Sequence, residues 1–213
     1  MKIFKDTELM NQSAYFRWQD EDEALYGLRE GYKNSADELV KIVVNSAGNT
    51  KILDTYIFPI LFSYRHCLEI SLKHIYMRAW SKIPGGGHNL LSLWDIVKIE
   101  IIDKMINSKE FIETVKEYKE NFIQYDLNGI ECNKIRLMLK ELQEANQKDI
   151  EIEPVKKQVN QNAEVWRYLM SADENLFFIT GHSIDYLVLK DSIDYIYEVL
   201  DYIYHIIDEY LSS

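Results

Sequence analysis

Cysteine, proline and glycine are all scarce in this sequence. Its two cysteines, Cys67 and Cys132, are too few for a disulfide scaffold and show no metal-ligand spacing. Eight glycines and three prolines in 213 residues amount to about 5% of the chain, against an average near 12%. Turn-rich sandwiches and barrels need more of both, so an all-β fold is excluded. Long apolar runs are missing as well. The most apolar stretch, Ile57 to Tyr64, falls well short of the roughly 18 residues of a membrane span. Basic residues are outnumbered, with 24 Lys+Arg against 35 Asp+Glu and a net charge of −11. That balance argues against a broad basic nucleic-acid surface, though not against one local cationic pocket. The opening Met1-Lys2-Ile3-Phe4-Lys5-Asp6 turns polar at once, so no leader peptide is expected. The composition reads as a reduced, cytoplasmic protein with no membrane partner.

What is present is apolar residue at 47%, with 15 tyrosines, enough to build a core and to exclude disorder. An acidic cluster, Asp20 to Glu23, precedes a helical pattern in which Leu25, Leu28, Tyr32, Ala36, Leu39 and Val43 recur every three or four residues. Gly31 and Asn34 are candidate breaks within it, and Gly48-Asn49 a stop. A long apolar helix is expected from about Ile52 to Trp80, capped by Asp54 or Thr55, with Pro59 in its first turns. A glycine loop, Gly85-Gly86-Gly87, separates it from a helix with Leu90, Leu93, Trp94, Val97 and Ile101 on one face. Ser108 restarts the pattern through Phe111, Val115 and Phe122. Gly129 reads as a break before a further helix carrying Ile135, Leu137, Met138, Leu142 and Ala145. Gln147 to Gln161 reads as a loop or irregular insert. Leu176–Thr180 and Ile184–Leu189, flanking Gly181-His182, suggest a small β-hairpin or extended turn within 176–189. The final helix is marked by Ile193, Ile196, Leu200, Ile203, Ile207 and Tyr210. One all-α bundle spanning 1–213, with 1–20 as a loosely packed N-terminal arm, is the economical architecture.

Within the central helix, Arg65, Glu69 and Lys73 are the only formal charges from Tyr56 to Tyr76. They sit at i, i+4 and i+8, and His66 adjoins Glu69 at i+3, so the four share one stripe. Charges on an apolar helix are costly to bury unless paired. The stripe is therefore either a self-neutralising Arg-Glu-Lys ladder or a pocket where Arg65 and Lys73 hold an anion and His66 moves a proton. The following Gly87-His88-Asn89-Leu90 places His88 and backbone amides at a helix N-terminus, a site that favours anions. The simpler reading of the same residues is a flexible connection with Asn89 or His88 as cap.

Tyr64-Arg65-His66, Leu68-Glu69 and Leu72-Lys73 on one helix, then Gly87-His88-Asn89-Leu90 and Leu93-Trp94 opening the next, resemble the HEPN-like helical superfamily. The likeness is to bacterial proteins carrying "RHxLELxLK…GHxLxxLW", and Trp166-Arg167-Tyr168 resembles their later "F/W-R-Y" landmark. The resemblance implies an α-helical bundle, often a homodimer, in toxin–antitoxin, antiviral or mobile-element settings, with an antitoxin or defence-system protein as partner. Active members are metal-independent endoribonucleases needing no cofactor, in which Arg polarises phosphate and His aids attack of the ribose 2′-OH. They space the Arg and His by four to six residues. Here Arg65 is followed directly by His66, and Arg78–His88 and Arg167–His182 are wider still.

Two readings follow. As an enzyme, Arg65, His66 and Glu69 would be catalytic. As a binding or regulatory subunit, the same stripe with Lys73, His88, Asn89 and Arg167 would hold RNA or nucleotide phosphate. In the final helix, Asp191, Asp194, Glu198, Asp201 and Asp208 read as a solvated acidic face, and no metal site is assigned, although Asp201 and His205 have chelating spacing.

Overall fold

The computed structural model describes residue 14 and residues 20–115, 125–127, 129–145, 163–168, 176–178 and 181–213. The expected N-terminal arm before Asp20, the insert 147–161 and the helical pattern beyond Val115 lie outside the described residues, Ala14 excepted. The elements are α1 (Glu21–Val44), α2 (Thr50–Trp80), α3 (Leu90–Val97), a π-helical continuation (Lys98–Ile106), α4 (Lys109–Val115), α5 (Gly129–Gln143), a 3₁₀ turn (Ala163–Trp166) and α6 (Tyr186–Ser212). The fold is all-α, and no sheet forms among the described residues.

The expected hairpin is corrected. Tyr186 to Leu189 form the first turn of α6, because the Asp185 carboxylate accepts from the amides of Leu187 and Val188 (2.8 and 3.0 Å) and starts the helix there. Gly31 and Asn34 do not break α1, which runs unbroken from a side-chain cap by Asp20. Helix α2 begins at Thr50, ahead of the proposed Asp54 or Thr55 cap, so Pro59 lies inside it on an exposed side. Gly129, read as the break before a further helix, is the first residue of α5.

Helix α1 runs antiparallel to α2, since Asp22 meets His74 and Asp37 meets Tyr64. Helix α6 runs parallel to α2, with Tyr186 bonded to the Leu53 carbonyl at one end and Arg78 paired to Asp208 at the other. The core lies between these three and α3. Leu90, Leu93, Trp94, Val97 and Ile101 are all buried, as their spacing predicts, and so are Ile193, Ile196, Leu200, Ile203 and Ile207. From Ile60 to Tyr76, α2 buries nearly every side, which makes it the central helix. No helix among the described residues is long and apolar enough to cross a membrane.

The inward side of α1 is not wholly apolar. Leu28 is exposed, whereas Arg29 and Lys33 are buried beside Ala36, Val40 and Val43. Their partners come from the acidic side of α6. Arg29 pairs with Asp201 at 2.5 Å, and Lys33 bonds to Asp194 as well as to Asp37 (2.7 Å). Thus Asp194, Asp201 and Asp208 are interhelical ion-pair partners rather than a purely solvated face. Burying the α1 cations requires Asp194 and Asp201, while Asp208 serves Arg78 of α2.

Candidate functional site

The loop from Ser81 to Asn89 sets the site's position. Gly86 has φ +92, and a Cβ there would lie 3.1 Å from the Ser92 Cβ, so the backbone's close approach to α3 requires glycine. Asn89 then caps α3, its side chain accepting from the Ser92 amide at 2.9 Å. His88, one residue earlier, is thereby held over the middle of α2.

Beneath it lies the charged stripe. Arg65 is 1% exposed and Glu69 2%. The Arg65 guanidinium donates to Glu69 Oε2 (3.3 Å), to the His88 carbonyl (2.5 Å) and to Gln143 Oε1 (3.2 Å). Glu69 Oε1 accepts from Lys73 Nζ and meets His88 Nδ1, both at 2.7 Å. Gln143 Oε1 also accepts from the Leu90 amide at 2.9 Å, satisfying a donor at the start of α3. The stripe is thus a ladder in which one buried pair joins α2, α5 and the loop before α3. Lys73 and His88 form its outer edge, with side chains 20% and 64% exposed.

Burial raises the Glu69 pKa, yet hydrogen bonds from Lys73 and His88 outweigh it and hold the carboxyl below its ordinary range. Burial lowers Arg65, with Glu69 opposing; an arginine stays charged regardless.

His66 faces elsewhere. Adjacent residues on an α-helix point about 100° apart, and the His66 ring packs edge-on to Tyr32 (4.5 Å between centroids) and stacks on Phe62 (5.7 Å). Burial first, then the positive charges of Lys73 and Arg65, hold it below its ordinary pKa against the pull of Glu69. It is neutral at pH 7. Arg167 closes the row, its guanidinium 5.8 Å from the Phe62 centroid and bonded to the Tyr168 hydroxyl at 3.1 Å.

The structure therefore gathers Arg65, Glu69, Lys73 and His88 in one network, uses Asn89 as a cap, and sets His66 and Arg167 on the adjoining aromatic ridge. Sequence reasoning missed Gln143, Tyr32 and Phe62. Gln143 was detectable as a polar residue continuing the buried face Cys132, Ile135, Leu139 of α5. Chemically, the outer edge offers a lysine, a histidine and an arginine beside stacked rings, and a neutral imidazole able to take a proton. Among the described residues no group of His, Cys, Asp and Glu is placed to hold a metal ion. Compared with family models, curated proteins and solved structures, the chain matches none.

Proposed function

We propose that this chain is a HEPN-like binding or regulatory subunit of a bacterial defence or toxin–antitoxin type system, working in the cytoplasm, that holds RNA or nucleotide phosphate on the outer edge of α2. One observation carries this reading. Arg65 is sealed against Glu69, while Lys73, His66 and Phe62 form a partly exposed line along one side of α2, flanked by His88 and Arg167. Cations interleaved with aromatic faces suit a phosphate backbone and its bases. With Arg65 and Lys73 against Glu69, the ladder retains one positive charge without counting His88. A homodimer, or pairing with an antitoxin or defence protein, fits the same role.

The alternative is a metal-independent endoribonuclease using 2′-OH attack. The neutral state of His66 favours it, as a base must be unprotonated at working pH. Against it, the Arg65 donors are already engaged and turned inward.

The test is binding of a labelled single-stranded RNA by fluorescence anisotropy at two salt concentrations. Binding that weakens as salt rises, and weakens further in Lys73→Gln and Arg167→Gln, supports the reading. No binding by a folded protein, or binding indifferent to both substitutions, overturns it.

A further inference from the structure

A cavity of about 610 Å³ opens at the N-terminal third of α2, between that helix, the end of α5, the 3₁₀ turn and the segment leading into α6. Its walls are mainly apolar and aromatic, including Phe58, Leu61, Trp166, Phe178 and Tyr186, with His182 and Ser183 as polar members. The rings brace one another, Trp166 against Phe178 at 5.3 Å and Phe178 against Phe58 at 6.4 Å. Tyr186 is fixed by donating to the Leu53 carbonyl. This size and lining are those of a small-molecule pocket.

Among the described residues, one carboxylate sits in these walls. Asp54 is exposed, lines the cavity, and takes part in no ion pair or side-chain hydrogen bond among the described residues. Aromatic faces and an unspent carboxylate together attract an organic cation, because the ring quadrupole and the carboxylate act in the same direction.

We propose that this cavity binds a small organic cation with an apolar body, of the aryl-alkyl ammonium class. The body would lie against Phe58, Trp166 and Phe178, with the nitrogen at Asp54. The site takes charge of opposite sign to the α2 edge, so it stands independently of the phosphate reading.

The experiment titrates the full chain with 4-phenylbutylamine, 4-phenylbutanol and 4-phenylbutanoate by calorimetry. The amine should bind about tenfold more tightly than the carboxylate, with the alcohol between them. Asp54→Asn, on an exposed helix position, should bring the amine down to the alcohol's affinity and leave the alcohol unchanged. Phe58→Ala should weaken all three. Equal binding of the three probes, an amine preference that survives Asp54→Asn, or no saturable binding at millimolar concentration would each overturn the proposal.

Discussion

The guanidinium of Arg65 donates to the backbone carbonyl of His88, 23 positions further along the chain, across 2.5 Å. That bond ties the middle of α2 to the residue before the cap of α3. It also leaves the His88 ring on the outside, where its Nδ1 reaches Glu69. The stripe is thus organised by depth: a buried pair that fixes the loop, and an outer edge that remains open to a ligand.

Removing one member of the buried pair should be far worse than removing both. Arg65→Ala leaves Glu69 buried without its closest guanidinium and strips donors from His88 and Gln143, so a loss of about 3–5 kcal/mol is expected. The double variant Arg65→Met/Glu69→Leu should recover most of it, since Lys73 and His88 are exposed enough to be solvated. Urea unfolding of the three proteins checks this. A double variant no more stable than Arg65→Ala would show that packing, not charge pairing, dominates there.

Gln143→Leu removes the acceptor shared by Arg65 and the Leu90 amide. The expected cost is about 1–3 kcal/mol, the desolvation penalty of stranded buried donors. Hydrogen exchange at the Leu90 amide should accelerate more than at Ile203 in α6. Uniform acceleration would mean that Gln143 contributes only to global stability.

The α1–α6 seam predicts an asymmetry of its own. Arg29 is fully buried, its Nε and Nη1 without a hydrogen-bond acceptor among the described residues, and is held by Asp201 and by the rings of Tyr26 and Tyr204, each 4.9 Å away. Asp201→Ala leaves that cation uncompensated, a loss of about 3–5 kcal/mol, whereas Arg29→Met removes the charge at similar volume and should cost much less. Equal losses measured by urea unfolding would contradict this.

Acidification should destabilise the fold in two stages. Burial holds the fully buried His74 below its ordinary 6.5, the Asp22 bond opposing and Arg29 reinforcing the shift, while Asp201 faces it from α6. A depressed folded pKa contributes stability that is present above 6.5 and is lost as pH falls through the folded value. Glu69, held below 4.5, adds a second loss as pH falls below that value. His205 has the opposite sign: Asp201 raises it, so its contribution is present below 6.5 and is lost above. His74→Gln should reduce the stability slope below pH 6.5, where the buried His66 contributes with the same sign, and leave the loss below 4.5 intact. An unchanged slope in chemical denaturation across that window would remove His74 from the account.

Apolar periodicity located the central, third and last helices because their buried faces are aliphatic over several turns, as Leu90, Leu93, Trp94 and Val97 illustrate. It found Ala36 and Val43 on the buried face of α1 but also placed the exposed Leu28 there and missed Arg29 and Lys33, which look solvent-facing until α6 supplies Asp201 and Asp194, some 160 to 170 residues away. The hairpin expectation failed for a related reason. Val188 and Leu189 favour strand locally, but Asp185 caps a helix whose later turns pack on α2. In the candidate site, the Arg65–Glu69–Lys73 spacing was legible because one helix carries it. Which charge faces inward was not, since that depends on Gln143 and the His88 carbonyl, set by contacts across the fold.

The central claim is that this site holds phosphate without cutting RNA. Labelled single-stranded RNA, incubated with the protein in EDTA and resolved on native and denaturing gels, tests it most directly. The account predicts retarded RNA that is intact after denaturation, with retardation reduced in Lys73→Gln and Arg167→Gln. RNA cleaved by the wild-type chain but left whole by a folded His66→Ala variant would contradict it.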